Sequence, residues 1–129
     1  RSTSAAIEFA VSVLKVQHVV IMGHAQCGGV RAYVDGAMGE AVAGRYIARW
    51  ASLLAPAYES MPQGLPAPEA ARVLERAAVR HSLQQLNAFP FVAERVKAGT
   101  LTTHGAFFGI ATGVLEWLSQ GDSGFQPVV

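Results

Sequence analysis

Residues Gln17 to Met22 constrain the fold more than any other stretch. This short β-branched run (Val19-Val20-Ile21, then Met22) closes on Gly23 and leads into His24-Ala25-Gln26-Cys27-Gly28-Gly29. An apolar run of strand length, ending in glycine, has the pattern of a parallel strand covered on both faces. A helical pattern precedes it from Thr3 to Leu14, and another follows near Val30 to Val34. Helix, strand, glycine-rich turn, helix is the alternation that builds an α/β sheet.

The first of these helices has apolar residues around most of its cylinder, so burial on nearly all sides is expected. Ala41 to Leu54 forms an amphipathic helix with Tyr46, Ile47, Trp50 and Leu54 on one side. Pro56 to Pro68 holds four prolines and Gly64, which predicts a loop with at most a short helical turn. Glu69 to Leu86 has helical spacing, and Phe91 to Lys97 continues after Pro90 with Gly99 placed to end it. Leu101 to Ile110 and Val114 to Leu118 read as strands around a Thr112-Gly113 turn. The fold class is α/β: a mostly parallel sheet flanked by helices, with an antiparallel C-terminal edge strand. Residues 1–129 form one domain.

Composition removes several classes of function. With 51% hydrophobic and 15% charged residues, the chain is not intrinsically disordered. Its formal charge of +1 supplies no field to gather nucleic acid or an anionic membrane. No apolar run approaches the ~18 residues of a membrane span, and no signal peptide is visible. A single cysteine forbids an internal disulfide and fits a reducing compartment, so the expected location is cytoplasmic.

The chemistry concentrates beyond the carboxyl end of the predicted strand, where open α/β sheets bind ligands. His24 and Cys27 are both good zinc ligands, and a turn can bring two residues at this spacing to one ion. Glycines let the backbone pass close, and the following helix points the positive end of its dipole at the same place. Two ligands alone do not hold a zinc site. A nucleophilic Cys27 with His24 as its base is a second reading, though no orienting third residue is apparent. A buried cysteine and an ordinary histidine is the bland one.

The stretches Ser4 to Val11 and Val19 to Val30 together resemble the β-class carbonic anhydrases. So do Phe89-Pro90-Phe91-Val92 and His104-Gly105-Ala106-Phe107-Phe108-Gly109-Ile110-Ala111-Thr112-Gly113. The resemblance covers nearly the whole chain. It implies a lyase that reversibly hydrates CO2 to bicarbonate and a proton, on zinc held by two cysteines and one histidine. His24 and Cys27 match two of those ligands, and Gly28 is placed against the substrate pocket. If His24 is a ligand, its second ring nitrogen should bond an acceptor that fixes the tautomer. The resemblance also implies a homodimer or larger homo-oligomer, with CO2 and bicarbonate as small-molecule partners.

The family's first zinc cysteine lies upstream, in a Cys-x-Asp-x-Arg motif on an earlier strand. This sequence has no such motif, and it opens Arg1-Ser2-Thr3 without a methionine. It is therefore expected to lack its N-terminal part, and no residue here matches the catalytic Asp-Arg pair. Activity of the chain alone is doubtful on that ground. The competing class is a zinc-free, inactive scaffold that serves as an assembly or interaction module.

The remaining polar residues read as structural. His18 and His81 carry no motif, and no catalytic role is carried onto His104. Arg72, Arg76 and Arg80 recur at i, i+4 and i+8, the usual mark of a solvated helix face. Glu8 lies on the helix expected to be buried and is a candidate for a subunit contact.

Overall fold

The computed structural model describes residues 2–39, 44–118 and 124–128. Its elements run α1 (Ser2–Glu8), a π-helical continuation (Phe9–Val13), β1 (His18–His24), α2 (Gly28–Ala37), α3 (Arg45–Ala51), a 3-10 turn (Ser52–Leu54) and α4 (Ala55–Glu59). They continue with α5 (Ala67–Ala88), α6 (Pro90–Lys97), β2 (Thr102–Phe108), β3 (Leu115–Leu118) and β4 (Phe125–Pro127). One sheet has the order β1-β2-β3-β4. β1 and β2 run parallel, from His18 opposite Thr102 to His24 opposite Phe108. β3 and β4 are added antiparallel. The α/β class stands and the C-terminal edge is antiparallel; within the described residues the pairing is mixed, one parallel contact and two antiparallel.

Helix α5 is the spine. Ala70, Leu74, Glu75, Val79 and Leu86 form its buried stripe, spaced as a helix facing a core requires. It stops at Phe89, because Pro90 pushes the residue before it into extended backbone (φ −64°, ψ 128°) and then opens α6. Two glycines let the sheet approach this helix. A Cβ on Gly23 would stand 2.6 Å from Val79 Cγ2, and one on Gly105 would stand 3.3 Å from Val79 Cγ1. Val30 and Val34 of α2 pack with Leu74 in one apolar cluster. Val11, Leu86, Val92 and Leu101 make a second.

Two burial expectations fail. β1 alternates rather than being covered on both faces: Val19, Ile21 and Gly23 are half-buried, whereas Val20 and Met22 are exposed. β1 ends the strand order, and α5 covers only one of its faces. The first helix is not buried all round either. Val11 is fully enclosed, but Phe9, Val13 and Leu14 are each more than half exposed, and Glu8 is exposed as well.

The predicted proline loop is shorter than expected. α4 occupies part of it, and both α4 and α5 carry proline in the first turn, where the missing N–H has no helical partner to lose. The amphipathic helix begins at Arg45 and tightens at Ser52–Leu54; residues 41–43 lie outside the described residues. The predicted hairpin forms, but its loop runs from Ile110 to Gly113 rather than over Thr112-Gly113 alone. Gly113, at φ +69°, bonds back to Gly109 O, and Gly109 N–H reaches Val114 O at 2.9 Å.

Candidate metal centre

β1 and α2 place the three sequence-selected residues at one end of the parallel pair. His24 is the last residue of β1 and Cys27 immediately precedes α2, with Gly28 its first residue. The turn between them is held from two sides. Ala25 N–H donates to Phe108 O of β2 at 2.9 Å. Cys27 N–H donates to Glu75 Oε2 of α5 at 3.0 Å. Between these anchors Gln26 takes φ +57°, a left-handed conformation uncommon for a side-chain-bearing residue.

His24 Nδ1 lies 2.9 Å from the carbonyl oxygen of Ala25. A carbonyl only accepts, so this contact puts the proton on Nδ1 and leaves Nε2 with its lone pair. An acceptor that fixes the tautomer is what a ligating imidazole requires. Cys27 is a half-buried free thiol. Imidazole nitrogen and thiolate suit zinc in their donor chemistry. Among the described residues, however, no three His, Cys, Asp or Glu side chains gather to hold an ion. The donors fit zinc in kind and fall short of a closed site in number.

Two cavities meet at Cys27. One of about 380 Å³ is lined by His24, Cys27, Trp50 and Glu75, with Met22 and His81 farther along. The other, of about 760 Å³, is lined by Cys27, Gly28, Arg31, Arg76 and Glu116. A Cβ on Gly28 would meet nothing within 4 Å, so this residue faces open space. A Cβ on Gly29 would overlap the Trp50 ring, so the second glycine is needed for the contact between α2 and α3.

Sequence reasoning missed Glu75. It is 6% exposed, the one charged residue among the buried described side chains. A signal was present: Glu75 shares a helical stripe with Val79 and Leu86, both buried, and a carboxylate there demands a partner. The arginines of α5 do more than face solvent. Arg76 pairs with Glu116 at 2.7 Å and lies over the Phe107 ring, and Arg80 lies over Phe125.

His18 Nδ1 and His104 Nε2 stand 3.0 Å apart, and the His104 ring also meets Trp117. Burial first, and the neighbouring His18 second, hold His104 below the usual imidazole pKa. His81 carries a buried Nε2 without a hydrogen-bond partner.

The chain as a whole is matched in known proteins. The carbonic anhydrase family profile matches residues 1–115. Chloroplastic β-carbonic anhydrase 5 of Arabidopsis thaliana is 30% identical over 117 residues, 88% of this chain and 38% of that protein. β-Carbonic anhydrase 3 of the same plant is 30% identical over 89% of this chain and 46% of its own length. The crystal structure of the β-carbonic anhydrase CafA of Aspergillus fumigatus superposes with a TM-score of 0.76 at 34% identity, covering 92% of this chain and 56% of that one. A structure reported with two tetrameric β-carbonic anhydrases from Sordaria macrospora gives 0.72 at 27% identity, over 92% of this chain and 60% of that one.

The chain belongs to the β-carbonic anhydrases. It spans less than half the length of these curated relatives. They include a mitochondrial form as well as a chloroplastic one. No helix among the described residues is long and apolar enough to cross a membrane.

Proposed function

We propose that this chain is the His-x-x-Cys part of a zinc-dependent enzyme that reversibly hydrates CO2 to bicarbonate and a proton. The observation that carries the reading is the His24 ring. Its Nδ1 is committed to Ala25 O, which leaves Nε2 as the acceptor nitrogen, on the same turn as the only cysteine.

In this reading Nε2 of His24 and Sγ of Cys27 hold zinc. The remaining protein ligand is a cysteine of an upstream Cys-x-Asp-x-Arg segment, whose Asp-Arg pair completes the catalytic groups. When bound, zinc supplies the Lewis acidity that makes hydroxide available near neutral pH. The chain's own residues do the rest of the positioning. The Ala25 carbonyl fixes the imidazole, and Gly28 leaves room for a small substrate beside Cys27. Self-association into a homodimer or larger oligomer belongs to the same proposal. Its support is the tetrameric relative and the exposed apolar side chains of the π-helical continuation, β1 and α3, such as Val13, Met22 and Tyr46.

Elemental analysis of the purified chain, alone and with a Cys-x-Asp-x-Arg segment joined upstream, tests this reading. The expected result is little zinc in the chain alone, and about one zinc per chain with CO2 hydration in the extended protein. Full zinc without hydration would overturn the lyase assignment. Absence of zinc from both would leave the scaffold reading.

A further inference from the structure

We infer that Glu75 is the positioning residue of the His24–Cys27 turn. The inference rests on the reading of these two residues as metal ligands. Its geometry does not depend on that reading.

Glu75 lies on α5, a helix that contributes no ligand, and the residue is almost fully enclosed. A carboxylate in such a place is costly unless it is bonded. The partner the structure gives it is the backbone N–H of Cys27, at 3.0 Å. Three arginines line the same cavity and are engaged elsewhere: Arg31 with Asp35 at 2.8 Å, Arg76 with Glu116 at 2.7 Å, and Arg72 with the Pro68 carbonyl at 3.3 Å. The bond is therefore directed at the turn rather than shared with an ion pair.

Its location gives the bond its meaning. Cys27 follows Gln26, whose left-handed backbone needs outside support to persist. Cys27 is also the N-cap position of α2, and its own side chain makes no capping bond there. Glu75 supplies the acceptor across space, at the helix end where negative charge is favoured. With Ala25 N–H tied to Phe108 O, the turn is fixed on both sides of Gln26. The direction in which Sγ leaves the backbone, relative to the His24 ring, is thereby set before any ion arrives. Glu75 lines both cavities that meet at Cys27.

The test compares Glu75→Ala and Glu75→Gln in this chain. Glutamine keeps an oxygen acceptor and loses the charge. The first measurement is amide hydrogen exchange in metal-free protein. In Glu75→Ala, exchange at Cys27 should rise about tenfold or more, as loss of a charge-assisted hydrogen bond implies. Amides of β2 should not change. In Glu75→Gln the Cys27 amide should stay protected. The second measurement is cobalt(II) affinity by absorbance, with the Cys-x-Asp-x-Arg segment joined upstream in wild type and both variants. Alanine should weaken binding about 10–100-fold, the usual effect of losing a group that orients a ligand. Glutamine should restore most of it.

Equal Cys27 exchange in wild type and Glu75→Ala would overturn the inference. So would a folded Glu75→Gln protein that loses protection at Cys27. If Glu75→Ala does not fold, Glu75→Gln alone decides by the same exchange measurement. If wild type takes up no cobalt even with an upstream Cys-x-Asp-x-Arg segment joined, the metal reading fails, and exchange at Cys27 still decides the role of Glu75.

Discussion

The two ends of the sheet are finished differently. At the β3–β4 end, cationic side chains clamp strands to the helix: Arg76 bonds Glu116 and covers Phe107, and Arg80 covers Phe125. At the β1 end the polar contacts hold a turn instead. Ala25 and Cys27 are tied through their backbone N–H groups, and His24 through its ring. The β3–β4 end is built to keep strands in place. The β1 end holds the His24 ring and the Cys27 backbone on one turn, and it leaves Val20 and Met22 exposed on the strand before them. Strength and chemistry thus occupy opposite edges of one small sheet.

Both ends share the support of α5, and breaking that support should have the largest effect. Leu74 is fully buried. Leu74→Ala should cost about 2–5 kcal/mol, as other large-to-small core changes do, measured by urea unfolding. A loss far below that range would mean that α5 is not the common foundation. A smaller effect is expected at the β3–β4 end alone. Arg76→Met keeps much of the contact with Phe107 and removes the pair with Glu116. The Arg76 side chain is 38% exposed, so screening limits the loss to about 0.5–1 kcal/mol. The loss should shrink in high salt, and Cys27 amide exchange should not change. Coupling between Arg76 and Cys27 would break the contrast between the two ends.

The smallest effect is a pH dependence. In the folded state His104 is held below its ordinary value of 6.5, by burial first and then by His18. The unfolded ring binds a proton more readily, so acid favours unfolding. The stability from this residue is present above about pH 6.5 and is lost as the pH falls below that and through the lower folded-state value. Melting temperatures taken between about pH 7.5 and 5.5 should fall with acid in wild type and fall less in His104→Gln. Equal slopes would place the acid sensitivity in other groups.

Much of this architecture was legible in local patterns. Strand β1, α5, the stop at Pro90 and the Thr112-Gly113 turn each follow from residues close together in sequence. The family resemblance rests on motifs within single segments as well. Burial was less legible, because a β-branched run does not say whether one face or two will be covered. β4, a strand of three residues, carries too short a pattern to be seen. At the candidate centre, His24, Cys27 and Gly28 stood out through type and spacing. The Ala25 carbonyl could not, since every residue has one. Glu75 was hidden for a different reason: its partner is a backbone N–H, 48 positions away.

That separation ties the candidate ligands to the order of folding. His24 and Cys27 are neighbours in the chain, and a short peptide contains both. The groups that hold their turn arrive only when α5 has docked and β2 has paired with β1. Loops of that length close slowly compared with a single turn. The candidate centre therefore cannot acquire its native geometry before those distant contacts form. A newly made chain would present its thiol and imidazole well before it could arrange them for an ion.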